Sequence, residues 1–246
     1  MSSQYETSSG FTITPGVFVA VGNSGKILTS SDGTSWTSRT SGTTKTLYGI
    51  TYGNSTFVVV GENGSIITST DGTTWTERTS GTSKYLNGVT YGNGLFVTVG
   101  LSGTILTSSD GTTWTSRTSG TSNDLRGVTY GNELFVIVGY SGTILTSSDG
   151  STWTSRTSGT SNILLGVTYG NGTFVTVGFS GRILTSSNGV TWTQRTSGIS
   201  EQLRGITYGN GLFVTVGTSG TILTSSNGTS WTQRTSGSSE ILRGVT

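Results

Sequence analysis

The chain has 246 residues, of which 40 are glycine and only 10% are charged, and its net charge at pH 7 is +2. A charge this small does not produce the positive field that nucleic-acid binding requires. The sequence contains no His and no Cys. This composition excludes disulfides, thiol chemistry and His/Cys metal sites, and it removes the commonest general base.

The N-terminal stretch 1–10 is MSSQYETSSG. It has neither the basic region nor the apolar run of a signal peptide. No later stretch approaches the ~20 apolar residues of a membrane helix. We therefore expect no signal peptide, no membrane segment and no membrane partner in this chain, and we expect residues 1–7 to form a tail. The compartment cannot be inferred from these observations.

From residue 17 onward the chain consists of copies of one unit. Its tryptophans fall every 39 residues, at Trp36, Trp75, Trp114, Trp153, Trp192 and Trp231. No copy inserts or deletes a residue between these markers. An internal period of this size indicates a repeat architecture. We predict that residues 1–246 form a single repeat domain without a linker.

Each unit predicts four short strands, which in the third copy span 86–91, 95–99, 104–108 and 113–118. Val, Ile, Thr and aromatic residues dominate these segments, and such residues suit strands. The breaks contain Gly, Asn, Asp and Ser, which form tight turns. Both faces of the predicted sheet carry apolar residues, as in a blade packed between two neighbours. The sequence therefore predicts an all-β, six-bladed β-propeller of four-stranded antiparallel blades. A stacked solenoid is the alternative, but it needs polar caps that neither end provides.

The segment SSDGTTW in the third copy resembles the Asp-box of propellers of the bacterial neuraminidase type. Ser108, Asp110, Gly111, Thr113 and Trp114 match that motif, although the spacer between Asp and Gly is missing. The whole repeat also resembles those of photosystem-II-assembly-factor-like propellers. The resemblance covers all six units and implies the fold. It does not imply one function, because such propellers include hydrolases, lectins and scaffolds.

Three repeated residue types are expected to be structural. An Asp at a turn accepts hydrogen bonds from the following backbone N–H groups, and Asn188 and Asn227, which replace it in two copies, keep that acceptor. The tryptophans are predicted to be buried between blades. An arginine three residues after each Trp is predicted to form a structural ring, at Arg39, Arg78, Arg117, Arg156, Arg195 and Arg234.

Two positions vary strongly between copies. One follows the repeated Gly of the second strand, at Asn23, Glu62, Leu101, Tyr140, Phe179 and Thr218. The other lies at the start of the first strand, at Tyr48, Asn87, Arg126, Leu165, Arg204 and Arg243. Because strand direction alternates, both positions should lie on one face of the disc. Binding loops on a rigid scaffold commonly vary in this way, and unconstrained drift is the equal alternative.

Two candidate sites follow on this face. Leu101, Tyr140 and Phe179 fall on successive blades and predict an exposed apolar patch for a partner. An anion site at the channel mouth is predicted from Arg126, Arg204, Arg243, Lys45 and Lys84, because converging cations suit a carboxylate, sulfate or phosphate. Glu201 and Glu240 are close enough in sequence to pair with Arg204 and Arg243.

The two termini compete for one place. Residues 8–13 and residues 242–246 both align with the first strand of a unit, in the blade whose other strands begin at Val17. The C-terminal copy matches the repeat better. We predict that it fills this place and closes the ring, which would remove exposed sheet edges.

The leading functional interpretation is a non-catalytic monomeric scaffold that binds a protein or glycan partner through the variable face, without cofactor or metal. A multivalent lectin is the first alternative, since repeated sites give avidity. A recently amplified or engineered repeat protein without a selected ligand is the second. A sialidase-like hydrolase is disfavoured, because the short loops leave no deep substrate pocket.

Overall fold

The computed structural model describes residues 16–245, and these form six antiparallel sheets arranged as blades. Five sheets have four strands, and the first has three. The predicted all-β, six-bladed propeller is thus confirmed. The predicted tail at 1–7, residues 8–13 and Thr246 lie outside the described residues.

Within each blade the strands follow one another from the inner to the outer edge. The inner strands are β4 (Leu47–Gly53), β8 (Leu86–Gly92), β12 (Leu125–Gly131), β16 (Leu164–Gly170) and β20 (Leu203–Gly209). The second strands are β1 (Phe18–Val21), β5 (Thr56–Gly61), β9 (Leu95–Gly100), β13 (Leu134–Gly139), β17 (Thr173–Gly178) and β21 (Leu212–Gly217). The third strands are β2 (Ile27–Ser30), β6 (Ile66–Ser69), β10 (Ile105–Ser108), β14 (Ile144–Ser147), β18 (Ile183–Ser186) and β22 (Ile222–Ser225). The outer strands are β3 (Thr37–Arg39), β7 (Thr76–Arg78), β11 (Thr115–Arg117), β15 (Thr154–Arg156), β19 (Thr193–Arg195) and β23 (Thr232–Arg234).

Turn chemistry fixes the register of each inner hairpin. In the third blade Asn93 and Gly94 have φ values of 48° and 72°, the pair of positive values that a tight hairpin turn requires. At the other end of this hairpin, Leu86 pairs with Gly100 but Gly88 pairs with Val99. Asn87 is therefore a β-bulge residue. The same bulge occurs in every described inner strand, and it falls on the variable position each time.

The core lies between blades. Five apolar clusters of buried side chains are present in the described part of the chain, one at each junction between consecutive blades. At the junction of the third and fourth blades, Val97, Val99 and Ile105 pack against Phe135 and Leu145. Burial of this apolar area stabilises the stack of blades. Both faces of an internal blade are therefore covered.

The Asp turn and the arginine ring are structural, as predicted. Ser108 Oγ donates to Asp110 Oδ1 over 2.9 Å, and the same Asp oxygen accepts the N–H groups of Thr112 and Thr113 at 2.8 and 2.9 Å. Asn188 Oδ1 keeps the two backbone bonds at 2.9 and 3.0 Å. Each ring arginine donates from Nε to a threonine Oγ1 of the third strand, over 2.8–2.9 Å.

The tryptophans are less buried than predicted. Five of them are half-buried and Trp36 is 43% exposed. Each indole N–H donates to the carbonyl of the glycine three residues earlier, at 3.1 Å in the case of Trp114 and Gly111. The ring therefore covers its own Asp turn at the rim, and this position leaves one edge of the ring in solvent.

The C-terminal segment does not pair with the first blade. Leu242 N–H donates to Gly217 of the sixth blade over 2.9 Å, and residues 241–245 form no strand. Within the described range, β1 pairs only with β2. Ring closure by the C-terminal strand therefore stays a prediction.

Candidate functional site

The two variable positions of a blade meet on one face of the molecule. The residue after the second strand lies in a single 3₁₀ turn in five blades, at Asn23–Gly25, Glu62–Gly64, Leu101–Gly103, Tyr140–Gly142 and Thr218–Gly220. In the second blade Tyr48 Oη lies 3.0 Å from Glu62 Oε1. In the fourth blade Arg126 Nη2 lies 2.9 Å from Tyr140 Oη. Because a bulge re-aims the side chain it carries, the bulge explains how the inner-strand residue meets the turn.

Tyr48, Tyr85 and Glu62 form a group that we call the tyrosine cluster. The rings of Tyr48 and Tyr85 come from neighbouring blades, with centroids 6.3 Å apart. Their exposed fractions are 43% and 36%. Sequence reasoning placed Tyr48 and Glu62 at variable positions, but it named none of the three residues of the cluster as a site residue and missed Tyr85 altogether. The available signal was that the residue preceding the repeated leucine, which is Tyr85 in the third copy, also varies between copies.

The tyrosine cluster has a defined charge state. The backbone N–H of Thr46 donates to Glu62 Oε2 over 2.9 Å, and this bond holds the pKa of the Glu62 carboxylate below its ordinary value. Burial of the phenol, followed by its bond to Glu62, raises the pKa of Tyr48 to about 12. At neutral pH the cluster therefore presents the neutral phenol of Tyr48 and the ring of Tyr85 beside one carboxylate.

Arg126, the first cation of the predicted anion site, is held within its own blade. Its guanidinium carbon lies 4.7 Å from the centre of the Tyr140 ring. Its Nη2 lies 3.6 Å from Asp124 Oδ2, and Asp124 Oδ1 accepts the N–H of Ser102 over 2.9 Å. The charge of Arg126 is therefore balanced by Asp124 and covered by an aromatic face. An anion would have to compete with both partners.

Two of the other predicted cations also contact a polar or acidic side chain. Arg204 Nη2 donates to Gln202 Oε1 over 3.0 Å, and Lys45 Nζ lies 3.6 Å from Glu77 Oε1. Lys84 and Arg243 are exposed. Among residues 16–245 neither Glu201 nor Glu240 forms an ion pair with its neighbouring arginine, so the expected local pairing is wrong. Glu201 instead accepts the backbone N–H of Ser200 over 3.1 Å.

The predicted apolar patch is only half exposed. Leu101, Tyr140 and Phe179 are all half-buried. Tyr140 is covered by Arg126, and the carbonyl of Phe179 accepts a bond from Asn162 Nδ2 over 3.4 Å. Leu101 and Tyr140 lie in 3₁₀ turns, whereas no 3₁₀ turn occurs at Phe179. On this face the large exposed rings are instead those of Tyr48 and Tyr85.

The carboxylates of the Asp turns are poor candidates for acid catalysis. Hydrogen bonds from the side chain of Thr112 and from the N–H groups of Thr113 and Thr112 hold the pKa of Asp110 well below its ordinary value. Equivalent bonds also lower the pKa of the other three turn aspartates, which are Asp32, Asp71 and Asp149. No group of three or more acidic side chains that could hold a metal ion occurs in the described part of the chain. The same residues include no helix of sufficient length and apolar character to cross a bilayer.

Comparison with known proteins finds similarity in fold only. No family model and no curated protein matches the sequence. A structure of YCF48 bound to D1 peptide superposes with a TM-score of 0.71 at 19% identity, covering 89% of this chain and 77% of that one. YCF48 from Cyanidioschyzon merolae gives a TM-score of 0.69 at 16% identity, with 92% and 83% covered. The WD40 β-propeller domain of Doa1 gives 0.70 at 15% identity, with 89% and 77% covered. All of these proteins are propellers, and the predicted resemblance to photosystem-II-assembly-factor-like propellers is confirmed at the level of fold.

Proposed function

We propose that this protein is a non-catalytic β-propeller scaffold that binds a peptide segment of a protein partner at its variable face. The observation that carries the proposal is the tyrosine cluster. Tyr48 and Tyr85 are exposed on adjacent blades beside the Glu62 carboxylate, at positions where the copies differ. Exposed tyrosines that combine an apolar ring with a polar tip are typical of protein interfaces.

The chemistry of the cluster favours a particular ligand. The rings of Tyr48 and Tyr85 offer flat apolar surface, and the ionised Glu62 offers a hydrogen-bond acceptor. A basic or amide-rich peptide with an apolar side chain fits this combination. The peptide named in the YCF48 structure supports the general expectation that a propeller of this kind can bind an extended segment. The sequence of that peptide and the place where it binds are properties of the YCF48 complex alone.

We also propose that the protein has no enzymatic activity. The 246 residues contain neither His nor Cys, and hydrogen bonds keep the Asp-turn carboxylates ionised. The proposal also includes the anion site at the channel mouth. Arg126 and Arg204 each have a buried Nε without a partner in the described residues, so their donor capacity is not fully used.

Peptide display on the immobilised protein tests the proposal. Peptides selected by the unmodified protein should lose at least ten-fold in affinity for a Tyr48→Ala/Tyr85→Ala variant. Tyr52→Ala is the matched control, because Tyr52 is also exposed but lies at the opposite end of β4. Equal binding to both variants would reject this face as the peptide site. Binding on a glycan array, lost in the same double variant, would favour the lectin alternative instead.

A further inference from the structure

We propose that the open face of the sixth blade of one copy binds the open face of the first blade of a second copy. The chain would then assemble head to tail through a contact that repeats the blade junctions inside it. This proposal does not depend on the peptide site. It rests on the two terminal blades, whose outward sides lack, within residues 16–245, the neighbouring blade that every internal blade has.

The outward side of the first blade, which we call the front face, carries Phe18, Leu28 and Trp36. The equivalent residues of the third blade are Phe96, Leu106 and Trp114, which pack against Val58 and Ile66 of the preceding blade. Phe96 is 0% exposed, whereas Phe18 is 46% exposed. The front face thus has the same apolar residues as an internal junction but has no described blade against it.

The outward side of the sixth blade, the back face, is the complementary surface. It carries Leu212, Val214, Val216 and Ile222, the equivalents of residues that cover the next blade at internal junctions. Leu212 is 41% exposed. Four internal glycines, at 53, 92, 131 and 170, each lie against a tyrosine ring of the following blade, but Gly209 has no such neighbour in the described part of the chain.

The two faces do not meet within the described chain. A Cβ built on Gly72 would lie 3.2 Å from Val17 and 3.8 Å from Thr29 of the preceding blade. Similar contacts to a preceding blade occur at the equivalent glycines 111, 150, 189 and 228. Gly33 of the first blade lies within 4 Å of its own Phe18 and of no residue in the sixth blade. Among residues 16–245, the front face therefore has no neighbouring blade, and the inner edge of the sixth blade contacts the C-terminal segment at residues 243–245.

The C-terminal segment already occupies the place of an additional inner strand. A Cβ on Gly205 would lie 3.1 Å from the carbonyl oxygen of Arg243, and Gly166 has the same 3.1 Å relation to Arg204 at an internal junction. Leu242 N–H bonds to Gly217, as Leu47 N–H bonds to Gly22. This position places residues 242–245 where they would lie beside the edge of β1 that has no partner among the described residues, when a first blade docks on the back face. In such an assembly the C-terminal segment of one copy would add a fourth strand to the three described strands of the first blade of the second copy.

A second copy is the occupant that these surfaces fit. Five junctions of this kind already hold the described blades together. The proposed contact between two copies would therefore bury the same kinds of residues as these junctions do. Neither face carries a charged side chain among the residues named, so a charged partner has no complement. A contact between two different faces is heterologous and produces chains or rings of copies. The alternative is that the front and back faces of one chain contact each other and close the ring within that chain.

Two blocked variants separate these possibilities. Phe18→Glu places a charge on the front face, and Val214→Glu places one on the half-buried back face. Val190→Glu is the control, because Val190 is exposed on the Asp turn of the fifth blade. Circular dichroism would first establish that each variant is folded. Sedimentation velocity over a wide concentration range then gives the number of copies in each particle.

We expect the unmodified protein and Val190→Glu to grow beyond one copy as concentration rises. Each blocked variant alone should remain a single copy, because one of the two required faces is missing from every molecule. An equimolar mixture of the two blocked variants should form a particle of two copies and nothing larger, since one open front and one open back remain. An unmodified protein that is a single copy at every concentration overturns the proposal. If the blocked variants then melt at lower temperature than the control, the faces are assigned to closure within the chain.

Discussion

Single side chains stabilise the Asp turn by accepting hydrogen bonds from the backbone. Asp110 accepts two backbone N–H groups and the hydroxyl of Ser108 at Oδ1, and the hydroxyl of Thr112 at Oδ2. Asn188 and Asn227 accept the same backbone groups in the last two copies. The turn therefore needs the acceptor oxygen, and the negative charge adds only a pH dependence.

The acceptor is tested by Asp110→Asn and Asp110→Ala. The Asn variant should melt within about 1 °C of the unmodified protein. The Ala variant should melt about 2–4 °C lower, because a lost turn or cap acceptor costs about 1 kcal/mol and a chain of this size loses a few degrees per kcal/mol. Thermal unfolding followed by circular dichroism measures both. Equal melting of the two variants would show that the side-chain oxygen does not hold the turn.

The charge is tested by the acid dependence of stability. Hydrogen bonds lower the folded pKa of the four turn aspartates below the unfolded value of about 3.9. Their contribution is therefore complete above that unfolded value and is lost as the pH falls toward the folded pKa values. A variant with Asn at positions 32, 71, 110 and 149 should lose less stability than the unmodified protein between about pH 5 and pH 2. Parallel melting curves across that range would count against this origin of acid sensitivity.

Tyr48 provides a separate residue-scale test of the tyrosine cluster. Burial and the bond to Glu62 raise the pKa of its phenol to about 12. Glu62→Gln removes the carboxylate while leaving the burial, so the pKa of Tyr48 should fall part of the way toward its ordinary value. Ultraviolet or NMR titration of the tyrosines detects the change, with Tyr48→Phe identifying the signal. An unchanged titration in Glu62→Gln would mean that burial alone sets this pKa.

At the scale of elements, the junction between blades decides what each strand contributes. Phe96 lies at the centre of a junction, and Trp114 lies at its rim with its ring 6.5 Å from that of Phe96. Trp36 has the same place in its own blade, but no blade precedes it in the described structure. The same residue type at the same position of the unit should therefore contribute differently to the free energy of unfolding in different blades.

Three alanine substitutions measure this difference. Phe96→Ala should lower the free energy of unfolding by ~3–5 kcal/mol, as for a fully buried aromatic residue. Trp114→Ala should cost about 2 kcal/mol because the ring is half-buried, and Trp36→Ala about 1 kcal/mol or less. Urea denaturation at low protein concentration gives the three values. Equal costs at Trp36 and Trp114 would indicate that the first blade is covered by the sixth.

At the scale of the whole molecule, stability is the sum of the units and of the junctions between neighbouring units, as in other repeat proteins. The third and fourth blades have two junctions each, whereas the first and sixth blades have one each in the described structure. The outward sides of the terminal blades also expose Phe18 and Leu212. The ends of the stack should therefore open more easily than its middle.

Hydrogen exchange read by mass spectrometry tests this gradient. Peptides from β1, β2, β21 and β22 should exchange faster than the equivalent peptides from β9, β10, β13 and β14 in dilute solution. Raising the protein concentration should slow exchange at the terminal blades alone, if copies join through the front and back faces. Uniform protection in all six blades at every concentration would show that the terminal faces are covered within a single chain.

The sequence by itself determined the period, the four strands of each unit, the turns, the Asp-turn bonds and the arginine ring. All of these depend on residues close together in the chain or on identical partners in every copy. The prediction of which side chains are exposed was less accurate. Leu101, Tyr140 and Phe179 were expected to be exposed, but all three are half-buried. The residue order within one unit does not show which neighbouring side chain covers a position, as Arg126 covers Tyr140.

Only the tertiary structure decided which variable residues meet and which faces lack a neighbour. Tyr48 and Tyr85 are 37 positions apart in the sequence and become neighbours because consecutive inner strands lie side by side. Phe18 and Phe96 belong to the same position of the unit, yet one is exposed and the other is buried. Their difference arises from the presence or absence of a preceding blade. A repeated sequence specifies each junction locally, but burial is a property of two blades placed together in space.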